Sequence, residues 1–156
     1  MRVDVRAMAP GESAAVEYDE PVALQSDDQT LTAPAAGTLR VHRTNHGVTV
    51  RGRVQAQVPL VCGRCLLPFQ AAIAAEVDEE FSIDPPGDAT GGGLETEDFV
   101  SWVGPGHEVD VTEIVRQHLQ MNVPMAPLHV EDCRGLCPVC GANWNERACE
   151  HFRAQG

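Results

Sequence analysis

The chain has 156 residues, 43% of them hydrophobic, and a formal charge of −12 from 11 basic and 23 acidic side chains. That length supports one domain with at most a small appended module, and that charge argues against binding nucleic acid by bulk electrostatics. No stretch approaches the ~18–20 apolar residues that span a bilayer, and the first residues lack the apolar core of a signal peptide, so a cytoplasmic protein with reduced thiols is expected.

All eleven basic residues are arginine, and the charges are segregated along the chain. Residues 29–75 contain no Asp or Glu but hold Arg40, Arg43, Arg51, Arg53 and Arg64, whereas residues 76–98 hold nine acidic side chains and no basic one. Within the basic block, "TLRVHR" and "GVTVRGRVQAQVPLV" alternate with period two, the mark of half-buried antiparallel strands. Leu39, Val41, Val48, Val50, Val54, Ala56, Val58 and Leu60 then face inward. Gly52 falls on the apolar face and suggests a bulge. "TNHG" between the strands supplies the residues of a hairpin turn, because Asn and Gly tolerate positive φ. Arg40, His42, Arg51 and Arg53 would project from the outer face of this hairpin. With Arg64, they form the candidate surface for RNA or another partner.

"FQAAIAAEVDEEFSI" repeats apolar residues every four positions and fits a helix or a strand. As a strand it puts Glu76, Asp78 and Glu80 on one face and an apolar row on the other, interrupted by Glu79. "DPPGDATGGGLETEDF" reads as a mobile loop, about 84–98. "VDVTEIVRQHLQMNVP" predicts the main helix. Asp110 caps it, Glu113 completes a capping box, and Val111, Ile114, Val115, His118 and Leu119 form one face before Pro124 ends it.

Four of the six cysteines fall within residues 133–149. Reduced thiols at short spacing point to metal or redox chemistry. Cys137-Pro-Val-Cys140-Gly141 has the form of a zinc knuckle, and Cys133 and Cys149 would complete a local tetrahedral set without long-range closure. His129 and His151 are substitutes close by. The plain alternative is a set of free buried thiols. "CGRC", Cys62 to Cys65, stands outside this set and reads first as a tight turn between two strands. A zinc ribbon pairing it with Cys137 and Cys140 would leave Cys133 and Cys149 idle. A thioredoxin-like redox pair would need a helix starting at Cys62, which Pro68 disfavours.

"VPLVCGRCLLPFQ", the acidic "EVDEEFSI", "VDVTEIVRQHLQMNVPMAPLH" and "DCRGLCPVCGANWN", taken in that order from about Val48 to Cys149, resemble the YceD family, the large ribosomal RNA subunit accumulation proteins. The resemblance implies a non-catalytic bacterial or organellar factor needed for 23S rRNA accumulation and large-subunit assembly, with rRNA or a large-subunit ribosomal protein as partner. It also implies a strand over residues 69–83, and a C-terminal thiol cluster that varies between members while the central CxxC is kept. Position 129, often cysteine in the family pattern, is implied as a further ligand.

The expected fold is α+β: an antiparallel sheet or partial barrel over residues 1–127 with one main helix, followed by a zinc-knuckle module over 128–156. Zinc is the expected cofactor, held by Cys133, Cys137, Cys140 and Cys149. The competing functional class is a zinc-ribbon adaptor that binds protein and makes no direct RNA contact. Acidic side chains paired across the sheet with Arg51 and Arg53 would weaken the RNA reading.

Overall fold

The computed structural model describes residues 1–26, 29–83, 101–103 and 106–152. Four long strands dominate: β2 (Ser13–Ser26), β3 (Gln29–Arg43), β4 (Gly47–Val61) and β5 (Pro68–Ser82). They form an antiparallel meander that continues through a short parallel strand, β6 (Ser101–Trp102), in the order β2-β3-β4-β5-β6. A second, two-stranded sheet pairs β1 (Arg2–Asp4) with β7 (Glu108–Asp110) and leads into helix α1 (Val111–Met121). The α+β class expected from the sequence is what is found. The expected loop at about 84–98 lies outside the described residues.

Alternation builds the sheet as anticipated. The inward side chains of β4, from Val48 to Leu60, are buried, as are Leu39 and Val41 of β3. Residues 69–83, ambiguous from periodicity alone, are strand, with Ile73, Ala75 and Val77 buried and Glu76, Asp78 and Glu80 exposed. Glu79, the acidic interruption of the apolar row, is met by His118 of α1 at 3.0 Å. The expected bulge at Gly52 is absent. The β3–β4 register is continuous, with Gly52 opposite Leu39 and Gly37 opposite Val54. Glycine is required for close approach instead, since a Cβ at Gly52 would sit 2.2 Å from the carbonyl oxygen of Thr38.

Helix α1 covers the inner face of the sheet, packing on β2, β4 and β5 through Val111, Ile114, Val115 and Leu119. Asp110 accepts from the amide of Glu113 at 3.1 Å, as an N-cap should. The reciprocal half of the capping box is not made. The Glu113 carboxylate is taken by Arg116, at 2.6 and 2.8 Å, and by the Gln117 amide.

Pairing between the two central strands is incomplete. The β3–β4 ladder runs only from Ala35↔Ala56 to Arg43↔Val48, whereas both strands continue beyond it. Residues 29–34 of β3 pair only with β2, and residues 57–61 of β4 pair only with β5. Pro34 sits in this stretch, opposite Pro21, where its missing N–H is not needed by β4. The sheet is therefore split at the end where the β4–β5 turn lies.

Candidate metal centres and the arginine face

The β4–β5 turn and the C-terminal knuckle have the same hydrogen bonding. In the first, the amide of Leu66 donates to Cys62 O at 3.0 Å and the amide of Cys62 to Leu67 O at 2.9 Å. In the second, Gly141 donates to Cys137 O at 2.9 Å and Cys137 to Ala142 O at 2.8 Å. The residue after the second cysteine is left-handed in both, with φ 60 at Leu66 and 73 at Gly141. Glycine takes that conformation freely and leucine does not. "CGRC" is thus the same turn as "CPVC", without the glycine that marks it in the sequence.

The tail closes over the first turn. Gly63 donates to Pro127 O at 2.8 Å, Leu136 to Arg64 O at 3.2 Å, and the Arg64 guanidinium to Cys133 O at 2.9 Å. Two sets of donors result, each with its ligand atoms within 4.8 Å of one another: Cys62, Cys65, His129 and Cys133, and Cys137, Cys140, Cys149 and His151. The local grouping expected for Cys133, Cys137, Cys140 and Cys149 is not the one found. Cys133 faces the sheet turn, its sulfur 3.7 Å from that of Cys62, and His151 completes the set around Cys137. His129 lies with Nδ1 3.4 Å from the Cys65 sulfur.

The inner set is enclosed, with Cys62, Cys65 and Cys133 all buried, whereas Cys140 of the outer set is exposed. Burial raises the Cys62 thiol, but hydrogen bonds from His129 and from the amides of Cys65, His129 and Arg64 outweigh it and hold it down at about 5. Burial pushes Cys65 up. In the outer set the Trp144 indole N–H, 3.4 Å from the Cys149 sulfur, is the main cause lowering that thiol to about 6. Asn145 Nδ2 approaches the Cys133 sulfur at 3.5 Å. Cysteine sulfurs, imidazole nitrogens and N–H groups aimed at sulfur are the donor chemistry of a metal centre with its supporting shell. Either set could hold a metal ion. All six thiols are free.

The arginine face is balanced by acid. Arg51 stands opposite Asp78 and binds it at 2.7 Å, Arg53 stands opposite Glu76, and Thr49 opposite Glu80. On the other side Arg40 lies beside Arg51, and Glu17 bonds Thr38 at 3.0 Å. His42 accepts or donates to Ser13 Oγ at 2.9 Å. Arg40 and Arg53 have no ion pair among the described residues. Arg64 does not belong to this face. It sits in the β4–β5 turn, about 25 Å along β4 at ~3.3 Å per residue, and serves the Cys133 carbonyl.

The family described as "Large ribosomal RNA subunit accumulation protein YceD" matches residues 50–155, which include both CxxC turns and α1. The chain belongs to the YceD family. Its relatives include an uncharacterized protein of Mycobacterium tuberculosis, 34% identical over 103 residues, covering 66% of this chain and 48% of the relative. An uncharacterized protein of Mycobacterium leprae is 32% identical over 111 residues, covering 71% and 49%. The chloroplastic "Large ribosomal RNA subunit accumulation protein YCED homolog 1" of Arabidopsis thaliana is 22% identical over 144 residues, covering 78% and 45%. This YceD chain thus spans about half the length of the curated relatives it matches. No solved structure matches it. Among its described residues, no helix is long and apolar enough to cross a membrane.

His129 and His151 are the site residues that the sequence reading held only as substitutes. The signal was arithmetic. A tetrahedral ion on each CxxC turn would take two further ligands, and outside its own CxxC turn the tail offers four Cys and His donors: His129, Cys133, Cys149 and His151.

Proposed function

We propose that this chain is a non-catalytic, cytoplasmic factor supporting 23S rRNA accumulation during assembly of the large ribosomal subunit, and that it acts as a zinc-held adaptor contacting a ribosomal protein. The ribosomal setting is supported by the family description and by the name of the chloroplastic relative. The single observation that carries the adaptor reading is the cross-strand placement of Asp78 and Glu76 opposite Arg51 and Arg53, with Arg51 held by Asp78 at 2.7 Å, which offsets part of the positive charge of the surface best suited to phosphate.

Zinc suits the donor types of both sets, and the spacing of the inner set in particular. A tetrahedral zinc with sulfur at ~2.3 Å requires thiolates about 3.8 Å apart, and sulfur and imidazole nitrogen about 3.6 Å apart. The Cys62–Cys133 separation is 3.7 Å and that of Cys65 from His129 is 3.4 Å. In this reading the inner zinc ties the 128–156 module to the 1–127 core and the outer zinc folds the module itself. The contact of α1 with both β2 and β5 supports a sheet curled about the helix as a partial barrel.

A second reading, direct rRNA contact through Arg40 and Arg53, is favoured by their lack of ion pairs among the described residues. Cofractionation with large-subunit precursor particles separates the two. The adaptor reading expects Arg51→Glu with Arg53→Glu to stay on the particles, while Cys62→Ser with Cys65→Ser is lost from them. Loss of the arginine variant with retention of the cysteine variant would establish the RNA reading instead.

A further inference from the structure

Trp102 apart, every large apolar side chain that is exposed among the described residues lies at the end of β4, in the β4–β5 turn, at the end of α1 or in the chain that follows it. Several of them surround one groove of about 890 Å3. It opens where β3 and β4 part. One wall is the start of β3 at Gln29 and Leu31, the other the end of β4 at Pro59 to Val61, stretches that do not pair with each other, and the segment from Met121 to Pro127 closes it. Cys62 and Gly63 also line it, so the inner donor set borders the groove.

Three features identify the occupant. The walls include two strand segments with no ladder partner on the groove side, and unpaired backbone N–H and C=O groups are what an added peptide segment satisfies. No Asp, Glu, Lys, Arg or His is among the described lining residues, so the groove offers no cationic side chain to a phosphate or carboxylate. Two of its exposed side chains are apolar and flexible, Met121 at 72% and Met125 at 103% exposure. The chain's net charge of −12 opposes a second copy and favours a partner whose segment is flanked by cations.

Leu66 is the independent sign. It lines the groove, is 63% exposed, and occupies the left-handed position that is Gly141 in the other knuckle. The turn itself would be better served by glycine, and a leucine that is 63% exposed gains little from burial within the chain. Such a leucine is explained by something it touches outside the chain.

We propose that this groove docks an apolar peptide segment, flanked by Lys or Arg, of a separate basic protein, with Leu66, Met121 and Met125 as contact residues. The proposal rests on the adaptor reading for the identity of that protein as ribosomal, and on the groove alone for its chemistry.

The test uses the full, zinc-loaded chain with methyl-labelled Leu and Met, titrated with a short lysine-flanked peptide carrying leucines at alternate positions. Saturable movement of the Leu66, Met121 and Met125 signals is expected. Leu66→Gly with Met125→Glu should keep the fold and both metals while weakening the peptide about tenfold or more. Unmoved signals, equal affinity in the variant, movement on simple concentration of the protein, or movement caused by oligouridylate would each overturn the proposal. Precursor-particle cofractionation keeps the two claims apart. If this groove variant stays bound while the Cys62/Cys65 variant is lost, the groove fails and the adaptor reading stands. If the peptide binds but ribonuclease alone frees the chain from particles, the adaptor reading fails and the groove stands.

Discussion

The sulfurs of Cys62 and Cys133 lie 3.7 Å apart although 71 residues separate them in the chain. This pair ties the end of the sheet to the tail. A metal shared by their donor set would close a loop containing β5, β6, β7 and α1, whereas a metal in the Cys137 set would close only local chain. The two sites should therefore differ in what their loss does to the molecule.

Metal removal is the first prediction. Zinc in such small modules contributes on the order of 10–16 kcal/mol, more than the tail could gain from its few apolar contacts. Chelation should strip hydrogen-exchange protection from residues 128–152 and from the Gly63 amide, which donates to Pro127 O. The β2–β5 ladders, packed on their own valine and leucine core, should keep theirs. Loss of sheet protection at the same chelator concentration would show that the core cannot stand alone.

Gly52 should tolerate no side chain. A Cβ there meets the Thr38 carbonyl oxygen at 2.2 Å and the Leu39 Cα at 2.8 Å, both backbone that cannot rotate away. Gly52→Ala is expected to destabilise by about 2 kcal/mol or more, as overpacking of a fixed core does. Chemical denaturation reads this directly, and a change under ~0.5 kcal/mol would mean that the strands can part there.

Glu113 supplies a pH test. Its carboxyl is held at about 2, first by the Arg116 hydrogen bond and also by Gln117, against a smaller opposing effect of burial. A carboxylate depressed on folding adds stability above its ordinary value of 4.5, and that contribution disappears as pH falls through about 2. The side chain is 47% exposed, so solvent screening limits the gain to roughly 1 kcal/mol at most. Carbon-detected titration of Glu113 should give a midpoint near 2, moving up toward 4.5 in Arg116→Ala. An unchanged midpoint in that variant would remove Arg116 as the cause.

How much of the molecule was legible in the sequence depended on whether a local rule governed the element. Period-two alternation gave β4 and the near half of β3, and the cap at Asp110 gave α1, because burial and capping act over a few residues. β2 was missed although Ala14, Val16, Tyr18, Val22 and Leu24 alternate. Pro21 and the acids Glu17, Asp19 and Glu20 obscure the pattern, and an edge strand tolerates both. The donor sets were misgrouped for a different reason. A local set containing Cys133 needs no chain closure and is the simpler solution on paper. The actual partition depends on the tail folding back over the β4–β5 turn, through Gly63–Pro127 and Leu136–Arg64, which no short-range pattern reports. Leu66 hid the first knuckle, since the glycine that announces such a turn at Gly141 is absent there.

Zinc stoichiometry of the Cys62→Ser/Cys65→Ser variant, measured by elemental analysis of the purified full chain, tests the account most directly. The two donor sets predict two zinc ions per wild-type chain and one in this variant, with Cys137→Ser/Cys140→Ser likewise retaining one. A single zinc in the wild type that survives loss of Cys62 and Cys65 and vanishes with Cys137 and Cys140 would contradict the inner site and restore a purely local centre in the tail.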